Sequence, residues 1–203
     1  MIEADIIAIT GHRVYPDPAA LYRGLNNLRA NEYLFGGARG VDNDALEYIA
    51  KTQPSAGRTV VVPNRLIDQP QVSQENIKIY AKRLVELKNT GSDRYFIRNR
   101  YMVDHSTHVQ AFYDFRGSGG TYQTINYARS TGKSVEIWRL YNSDINQLLD
   151  LNEQEFMNLL IDMKEKNVNC SSIKGIAVEY CKMKYGRITY KFVSFFRAWE
   201  SGR

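Results

Sequence analysis

The sequence predicts a three-layer α/β fold in which helices cover a mostly parallel, Rossmann-like sheet, followed by a small basic C-terminal extension. Short apolar runs alternate with segments of helical periodicity through residues 1–140, a pattern typical of parallel βαβ units. Glycine-rich loops follow three of the predicted strands. The 203 residues, 43% apolar and 24% charged, suit a globular domain with an appendage.

Five strands are predicted from the apolar runs. The first run is apolar on both faces and ends at Gly11, as in a strand buried within a parallel sheet. The predicted strands are residues 4–10, 33–35, 59–63, 109–113 and 134–138.

The helices are predicted from apolar spacing and from residues that favour helix starts. Asp17 and Pro18 suit the N-cap and first position of a helix, and Leu21, Leu25 and Leu28 follow at helical spacing. Residues 64–73 are polar and are predicted to form a loop. Further helices are predicted to start at residue 42 and to span residues 74–88, 94–105 and 122–130.

Composition excludes several classes of protein. No run approaches the roughly 18 apolar residues of a membrane helix, and the N-terminus has neither a basic region nor a cleavage site of the kind that signal peptides carry. The two cysteines, Cys170 and Cys181, form neither a disulfide framework nor a CxxC pair. We therefore expect a cytoplasmic protein that does not enter membranes.

Positive charge is concentrated near the C-terminus. Residues 164–203 contain nine Lys/Arg and three acids, whereas the rest of the chain is close to neutral. Such a segment suits contact with a polyanion, or it is a solvated lysine-rich surface. Residues 142–144 suggest a boundary, so we predict one domain over residues 1–140 and a helical, basic extension over 141–203. An amphipathic helix is predicted over residues 153–166.

Aromatic residues alternate with basic ones in the extension, and two interpretations are open. The aromatics could stack on the bases of single-stranded nucleic acid, or they could close a hydrophobic face against the main domain or a second subunit. We favour the packing interpretation, and we expect a homo-oligomer. The aromatics are Tyr185, Tyr190, Phe192, Phe195, Phe196 and Trp199.

The three glycine loops, residues 10–13, 36–40 and 117–121, follow predicted strands. In a parallel sheet they meet at the carboxyl edge, where open α/β sheets bind ligands. Glycine lets backbone N–H groups approach an anion, and each following helix directs its positive end toward the same edge. Arg13 and Arg39 add bidentate phosphate contacts. These features predict a crevice for an anion or a nucleotide.

Other chemistry is less well supported. Neither GxGxxG nor GxxxxGK[ST] is present, so the sequence predicts no nicotinamide cofactor and no P-loop ATPase. His105 and His108 lack further metal-ligand partners and are expected to be structural. His12 lies inside the first glycine loop and is a candidate ligand contact. We predict no metal site and no cofactor.

Four motifs together resemble the Rossmann-like core of the SLOG superfamily. They are AITGHR at residues 8–13, FGGARGVD at 35–42, FIRNR at 96–100 and GGT at 119–121. Within the superfamily, the motifs are most similar to the DprA/Smf and the YpsA/YspA-like proteins. The resemblance covers residues 4–138 and does not extend to the tail.

The resemblance implies a ligand site at the strand edge. Arg13, Arg39, Arg98 and Arg100 would hold phosphates, and the glycine-loop amides would close on the anion. Asp42 is interpreted most simply as the N-cap of its helix, with a ribose contact as the alternative. The candidate nucleotide-binding residues are Gly11, His12, Arg13, Gly36, Gly37, Arg39, Gly40, Asp42, Arg98, Asn99, Arg100, Gly119, Gly120 and Thr121.

The function that the resemblance implies is binding, or sensing, of a nucleotide-derived ligand. A DprA-like accessory protein of DNA recombination that binds single-stranded DNA is the alternative. A second alternative is a nucleoside-monophosphate phosphoribohydrolase of the Lonely Guy type, whose motif includes a catalytic glutamate. Thr124 occupies that position here and cannot supply the charge that glycosidic cleavage needs. We therefore expect binding rather than catalysis.

Overall fold

The computed structural model describes residues 1–13, 15, 18–113, 119–140, 152–165 and 170–201. The chain divides into two compact units. The first contains Met1–Tyr113 and Ser118–Leu140, and the second contains Asp114–Gly117 and Tyr141–Arg203.

The first unit is built on a six-stranded sheet in which all neighbouring strands are parallel. The strand order is β4-β3-β2-β1-β5-β6, so the order reverses between β1 and β5. The predicted α/β fold with a parallel sheet is confirmed. The strands are β1 (Ile2–Gly11), β2 (Leu28–Phe35), β3 (Gly57–Val62), β4 (Arg83–Glu86), β5 (His108–Tyr113) and β6 (Ser134–Arg139).

Helices cover both faces of this sheet. Because successive side chains along a strand point to opposite faces, a strand such as β1 contributes to two buried clusters. Ile7 and Ile9 of β1 pack in one buried cluster with residues of α1, α2 and α3. Ala8, between them, belongs to the opposite cluster, which includes residues of α4 and α5. The helices are α1 (Pro18–Asn26), α2 (Val41–Thr52), α3 (Gln71–Tyr80), α4 (Arg94–Asp104) and α5 (Gly119–Ser130), with a short 3-10 helix at Leu66–Asp68.

Three element predictions were wrong. Residues 64–73, predicted as a loop, contain the 3-10 helix Leu66–Asp68 and the start of α3 at Gln71. The helix predicted over residues 74–88 ends at Tyr80, and β4 follows it at the edge of the sheet. Three of the four residues of β4 are exposed, so this edge strand lacks the apolar run that predicts a buried one. Leu28, predicted on the first helix, is instead the first, buried residue of β2. The predicted N-cap Asp17 lies outside the described residues.

Among the residues that the structure describes in the second unit, three further helices surround an aromatic core. Phe156 stacks on Tyr180 with ring centroids 3.8 Å apart, and Phe192 contacts both rings edge-on. Phe196 is also buried, whereas Tyr190 is 80% exposed. These ring contacts all lie within the second unit, so the predicted packing against the main domain or a second subunit stays a prediction. The helices are α6 (Glu153–Glu165), α7 (Cys170–Tyr185) and α8 (Tyr190–Glu200).

Among the described residues, no helix has the length and apolar character to cross a membrane.

Candidate anion site at the carboxyl edge of the sheet

The first two glycine loops are in direct contact at the carboxyl ends of β1 and β2. The backbone N–H of Val41 donates to the carbonyl oxygen of His12 at 3.1 Å. A Cβ on Gly40, whose φ is +77°, would lie 2.5 Å from the carbonyl oxygens of His12 and Arg13. A Cβ on Gly11 would meet the Val41 side chain at 2.5 Å. Glycine is thus required at both positions for the loops to approach each other.

The RNR motif joins this pair of loops from α4. The guanidinium of Arg98 lies against Gly36, where a Cβ would be 1.6 Å from Nη1. The neighbouring Asn99 reaches toward the start of α5, since its Nδ2 lies 3.6 Å from the position of a Cβ on Gly120. The structure therefore brings together the predicted loops after β1 and β2, Arg98, Asn99 and the first turn of α5.

Arg98 and Asp42 form a buried ion pair at the centre of the site. Nη1 of Arg98 lies 3.7 Å from Oδ2 of Asp42, and both side chains are less than 10% exposed. Asp42 also accepts a hydrogen bond from the backbone N–H of Ala38 at 3.1 Å. Within the described part of the chain, Nε and Nη1 of Arg98 donate no hydrogen bond. A buried cation with unused donors is unusual in a folded protein.

Burial opposes the charge on both members of the pair. Desolvation raises the pKa of Asp42 above its ordinary value, although Arg98, the Ala38 N–H and Arg13 act in the opposite direction. Desolvation likewise lowers the pKa of Arg98, against the attraction of Asp42. Desolvation therefore opposes the charged form of both side chains, and the attraction between them favours it.

The other predicted arginines are placed differently. Arg13 is exposed, close enough to influence Asp42 and Arg98 electrostatically, and its Cζ lies 5.5 Å from the ring centroid of Tyr95. Arg39 is exposed in the second glycine loop.

Arg100 does not join Arg98. Its Cζ lies 4.1 Å from the ring centroid of Phe96 and 4.9 Å from that of Tyr127. Residues two apart on a helix differ in direction by about 200°, so Arg98 and Arg100 leave α4 on different sides. The spacing of the RNR motif therefore does not direct Arg98 and Arg100 toward the same ligand.

Asp42, at the start of α2, has a role other than the one expected. The N-cap of α2 is Gly40, and Asp42 lies inside the first turn, so the interpretation of Asp42 as the N-cap was wrong. Its carboxylate instead accepts the Ala38 N–H and faces Arg98. Thr124 is buried in α5, where its hydroxyl donates to the carbonyl oxygen of Gly120 at 2.8 Å. Thr121 is also buried.

The three histidines lie in separate environments. His12 is buried in the first glycine loop, whereas His105 is the exposed C-cap of α4 and stacks on Tyr101. His108 is buried at the start of β5, with Nδ1 3.0 Å from Oγ of Ser134. Among the described residues, no three His, Cys, Asp or Glu side chains gather as a metal would require.

Sequence reasoning missed the aromatic residues of this edge. The ring of His12 stacks on Tyr113, the last residue of β5. The ring of Tyr113 in turn stacks on that of Tyr122 in α5. The available clue was their position, since Tyr113 ends a strand and Tyr122 directly follows the GGT motif.

Fold and site together define a Rossmann-like α/β protein with a glycine-lined, arginine-bearing carboxyl edge. No protein-family model matches the chain. It is 30% identical over 148 residues to the SPbeta prophage-derived protein YoqJ of Bacillus subtilis (strain 168), an alignment that covers 61% of this chain and 84% of that relative. The chain belongs to the family of this prophage-derived protein.

A solved structure supports the fold independently. DNA processing protein A (DprA) from Streptococcus pneumoniae superposes with a TM-score of 0.52 at 18% identity, covering 72% of this chain and 54% of DprA. The chain thus spans about half the length of DprA. At this identity the likeness concerns the fold, and the expected similarity to the DprA fold is confirmed.

Proposed function

We propose that the carboxyl edge of the sheet binds a nucleotide-derived ligand through its phosphate groups. The observation that carries this proposal is buried Arg98, whose Nε and Nη1 donate no hydrogen bond within the described residues. An unsatisfied buried polar group costs about 1–3 kcal/mol, and more when it is charged. Such a cost is characteristic of functional sites, where a ligand recovers it.

The backbone around Arg98 supports binding of an anion. Helix α2 begins directly after Gly40, and α5 begins at Gly119. The positive dipole ends of both helices favour negative charge. At α2 the first N–H, that of Val41, donates to the His12 carbonyl and the first turn carries Asp42 and Asp44, so the N-terminal N–H groups of α5 are the ones proposed to meet the anion. Exposed Arg13 adds a cation where a ligand enters from solvent. A phosphate that reaches this edge would meet a charged donor and oriented amides together.

The proposed ligand class follows the resemblance to the SLOG superfamily. The motifs that carry it coincide with the segments that meet in the structure, except for Arg100. Nucleotide sensing, as proposed for YpsA/YspA-like proteins, requires binding alone. The phosphoribohydrolase reaction would in addition require a catalytic carboxylate. The buried hydroxyl of Thr124 is in keeping with binding without glycosidic cleavage.

Binding of single-stranded DNA is the second candidate. It is favoured by the fold similarity to a protein whose name describes DNA processing and by the basic residues 164–203. The net charge of residues 1–163 is close to zero. A long polyanion would therefore gain little electrostatic attraction from the sheet edge alone.

Calorimetric titration of the full chain with nucleoside mono-, di- and triphosphates, beside a single-stranded oligonucleotide, distinguishes the two candidates. Oligonucleotide affinity should fall steeply between about 50 and 200 mM salt because several counterions are released, whereas a pocket ligand should respond less. Salt-insensitive nucleotide binding without oligonucleotide binding supports sensing. Steeply salt-dependent oligonucleotide binding alone supports the DNA candidate.

Arg98→Gln and Arg98→Lys test the site itself. We expect both to weaken nucleotide binding at least about tenfold, since Lys lacks the planar fork that recognises phosphate bidentately. Arg58→Gln is the matched control, because Arg58 is equally buried but donates to the carbonyl oxygens of Pro54, Ala56 and Tyr80. Circular dichroism checks that each variant is folded. Wild-type affinity in folded Arg98→Gln would refute the proposed site.

A further inference from the structure

Three aromatic rings stand in series beside the proposed anion site. The centroids of His12 and Tyr113 are 5.4 Å apart with an interplanar angle of 30°, and those of Tyr113 and Tyr122 are 6.4 Å apart at 24°. Both distances lie within the range of interacting aromatic pairs. The three rings form a series of stacked pairs, called the aromatic ladder (His12, Tyr113 and Tyr122).

The aromatic ladder crosses the point where the strand order reverses. His12 follows β1, Tyr113 ends β5, and β1 and β5 are paired neighbours in the sheet. Ligands of open α/β sheets bind outside this switch point. The ladder therefore stands at the position where the fold favours a ligand, beside the loops that hold Arg98.

One end of the ladder is accessible. His12 and Tyr113 are buried, whereas Tyr122 is 38% exposed. Tyr122 lies in the first turn of α5, three residues after Gly119, where a Cβ would meet no atom within 4 Å among the described residues. The start of α5 thus combines an exposed aromatic ring with oriented backbone N–H groups.

We infer that Tyr122, held in place by Tyr113 and His12, is a stacking surface for the planar base of the ligand. This inference rests on the proposed function, because it assigns the second half of a ligand whose phosphate occupies the Arg98 site. Every nucleobase presents a π-face, so a tyrosine platform recognises the class of base-bearing anions. Sugar phosphates and inorganic phosphates lack the group that would stack.

A second tyrosine pair offers a matched control. Tyr22 is also 38% exposed and stacks on Tyr48, with centroids 4.7 Å apart. This pair joins α1 to α2 and includes none of the glycine loops. Tyr22 and Tyr122 are therefore equally exposed and each stacks on another tyrosine, and the neighbouring anion site distinguishes them.

The test compares ligands that differ by the base alone. The four nucleoside 5′-monophosphates and ribose 5-phosphate are titrated into the full chain by calorimetry. At least one nucleotide should bind more tightly than ribose 5-phosphate by roughly 5- to 150-fold, the range expected for stacking of one base. Tyr122→Leu should remove most of this advantage and leave ribose 5-phosphate binding unchanged. Tyr122→Phe and Tyr22→Leu should retain it.

The outcomes separate the platform from the anion site. Equal affinity of ribose 5-phosphate and the nucleotides for the wild-type chain, or full nucleotide affinity in folded Tyr122→Leu, overturns the stacking platform and leaves the proposed function standing. Absence of binding by all five compounds and by the nucleoside di- and triphosphates overturns both. The wild-type comparison needs no variant, so the inference stays testable even if Tyr122→Leu does not fold.

Discussion

Oδ2 of Asp42 serves two partners at once, since it accepts the Ala38 N–H at 3.1 Å and faces Nη1 of Arg98 at 3.7 Å. One carboxylate thereby links the glycine loop after β2 to helix α4. Both side chains are buried, so neither charge can be removed without consequence for the other.

Asp42→Asn should lower the free energy of unfolding by about 3–5 kcal/mol, because it leaves the buried guanidinium without its counter-charge. Urea denaturation measures the change. Glu75→Gln, an exposed carboxylate on α3, should change stability by less than about 0.5 kcal/mol. In the double variant Asp42→Asn/Arg98→Gln, part of the loss should return because the two sites are coupled. Additive losses would show that the ion pair contributes nothing.

Gly36→Ala should displace Arg98, because the new Cβ would lie 1.6 Å from Nη1 and 2.7 Å from the Asp42 carboxylate. We expect a loss of about 1–3 kcal/mol from overpacking, together with weakened phosphate binding. Gly120→Ala is the control for stability, since among the described residues its Cβ would meet only Asn99, at an ordinary 3.6 Å. Equal unfolding midpoints for wild type and Gly36→Ala would contradict this packing.

His108 should make the stability of the protein fall as the pH drops below the ordinary pKa of histidine, 6.5. Burial lowers the pKa of His108 below its ordinary 6.5, with Glu136 and Gln110 acting in the opposite direction. The unfolded chain therefore takes up the proton first as the pH falls, so stability is complete above 6.5 and decreases as the pH drops through the lowered value.

Urea midpoints at pH 7.5 and 5.5 test this dependence. His108→Gln should reduce the difference between the two midpoints, although it also loses packing at both pH values. His105→Gln, at an exposed C-cap, should leave the difference as in wild type. An unchanged pH dependence in His108→Gln would assign it to other groups.

Phe192→Ala should open the aromatic core of the second unit. Phe192 is buried against Phe156 and Tyr180, and truncation of a buried phenylalanine costs about 3–5 kcal/mol. Hydrogen exchange of the α8 amides should accelerate accordingly. Tyr190→Ala, at an 80% exposed position on the same helix, should leave those rates nearly unchanged. Similar rates in the two variants would argue against this core.

Local patterns predicted much of the fold and of the site's backbone. Buried strands such as β1 and β3 are visible because apolar side chains are required on both faces of a parallel sheet. Strand β4 was missed because an exposed edge strand carries no such requirement. The end of α1 was misplaced because Leu28 continues the helical spacing while belonging to β2.

The glycine loops and the arginines were visible in the sequence by themselves, since backbone approach requires glycine and phosphate recognition favours arginine. Their partners were decided by the tertiary structure. Only the folded chain sets Asp42 opposite Arg98, sends Arg100 to Phe96 and Tyr127, and stacks Tyr113 between His12 and Tyr122. The physical reason is that residue type fixes which interactions a side chain can make, whereas direction and burial depend on elements far apart in the chain.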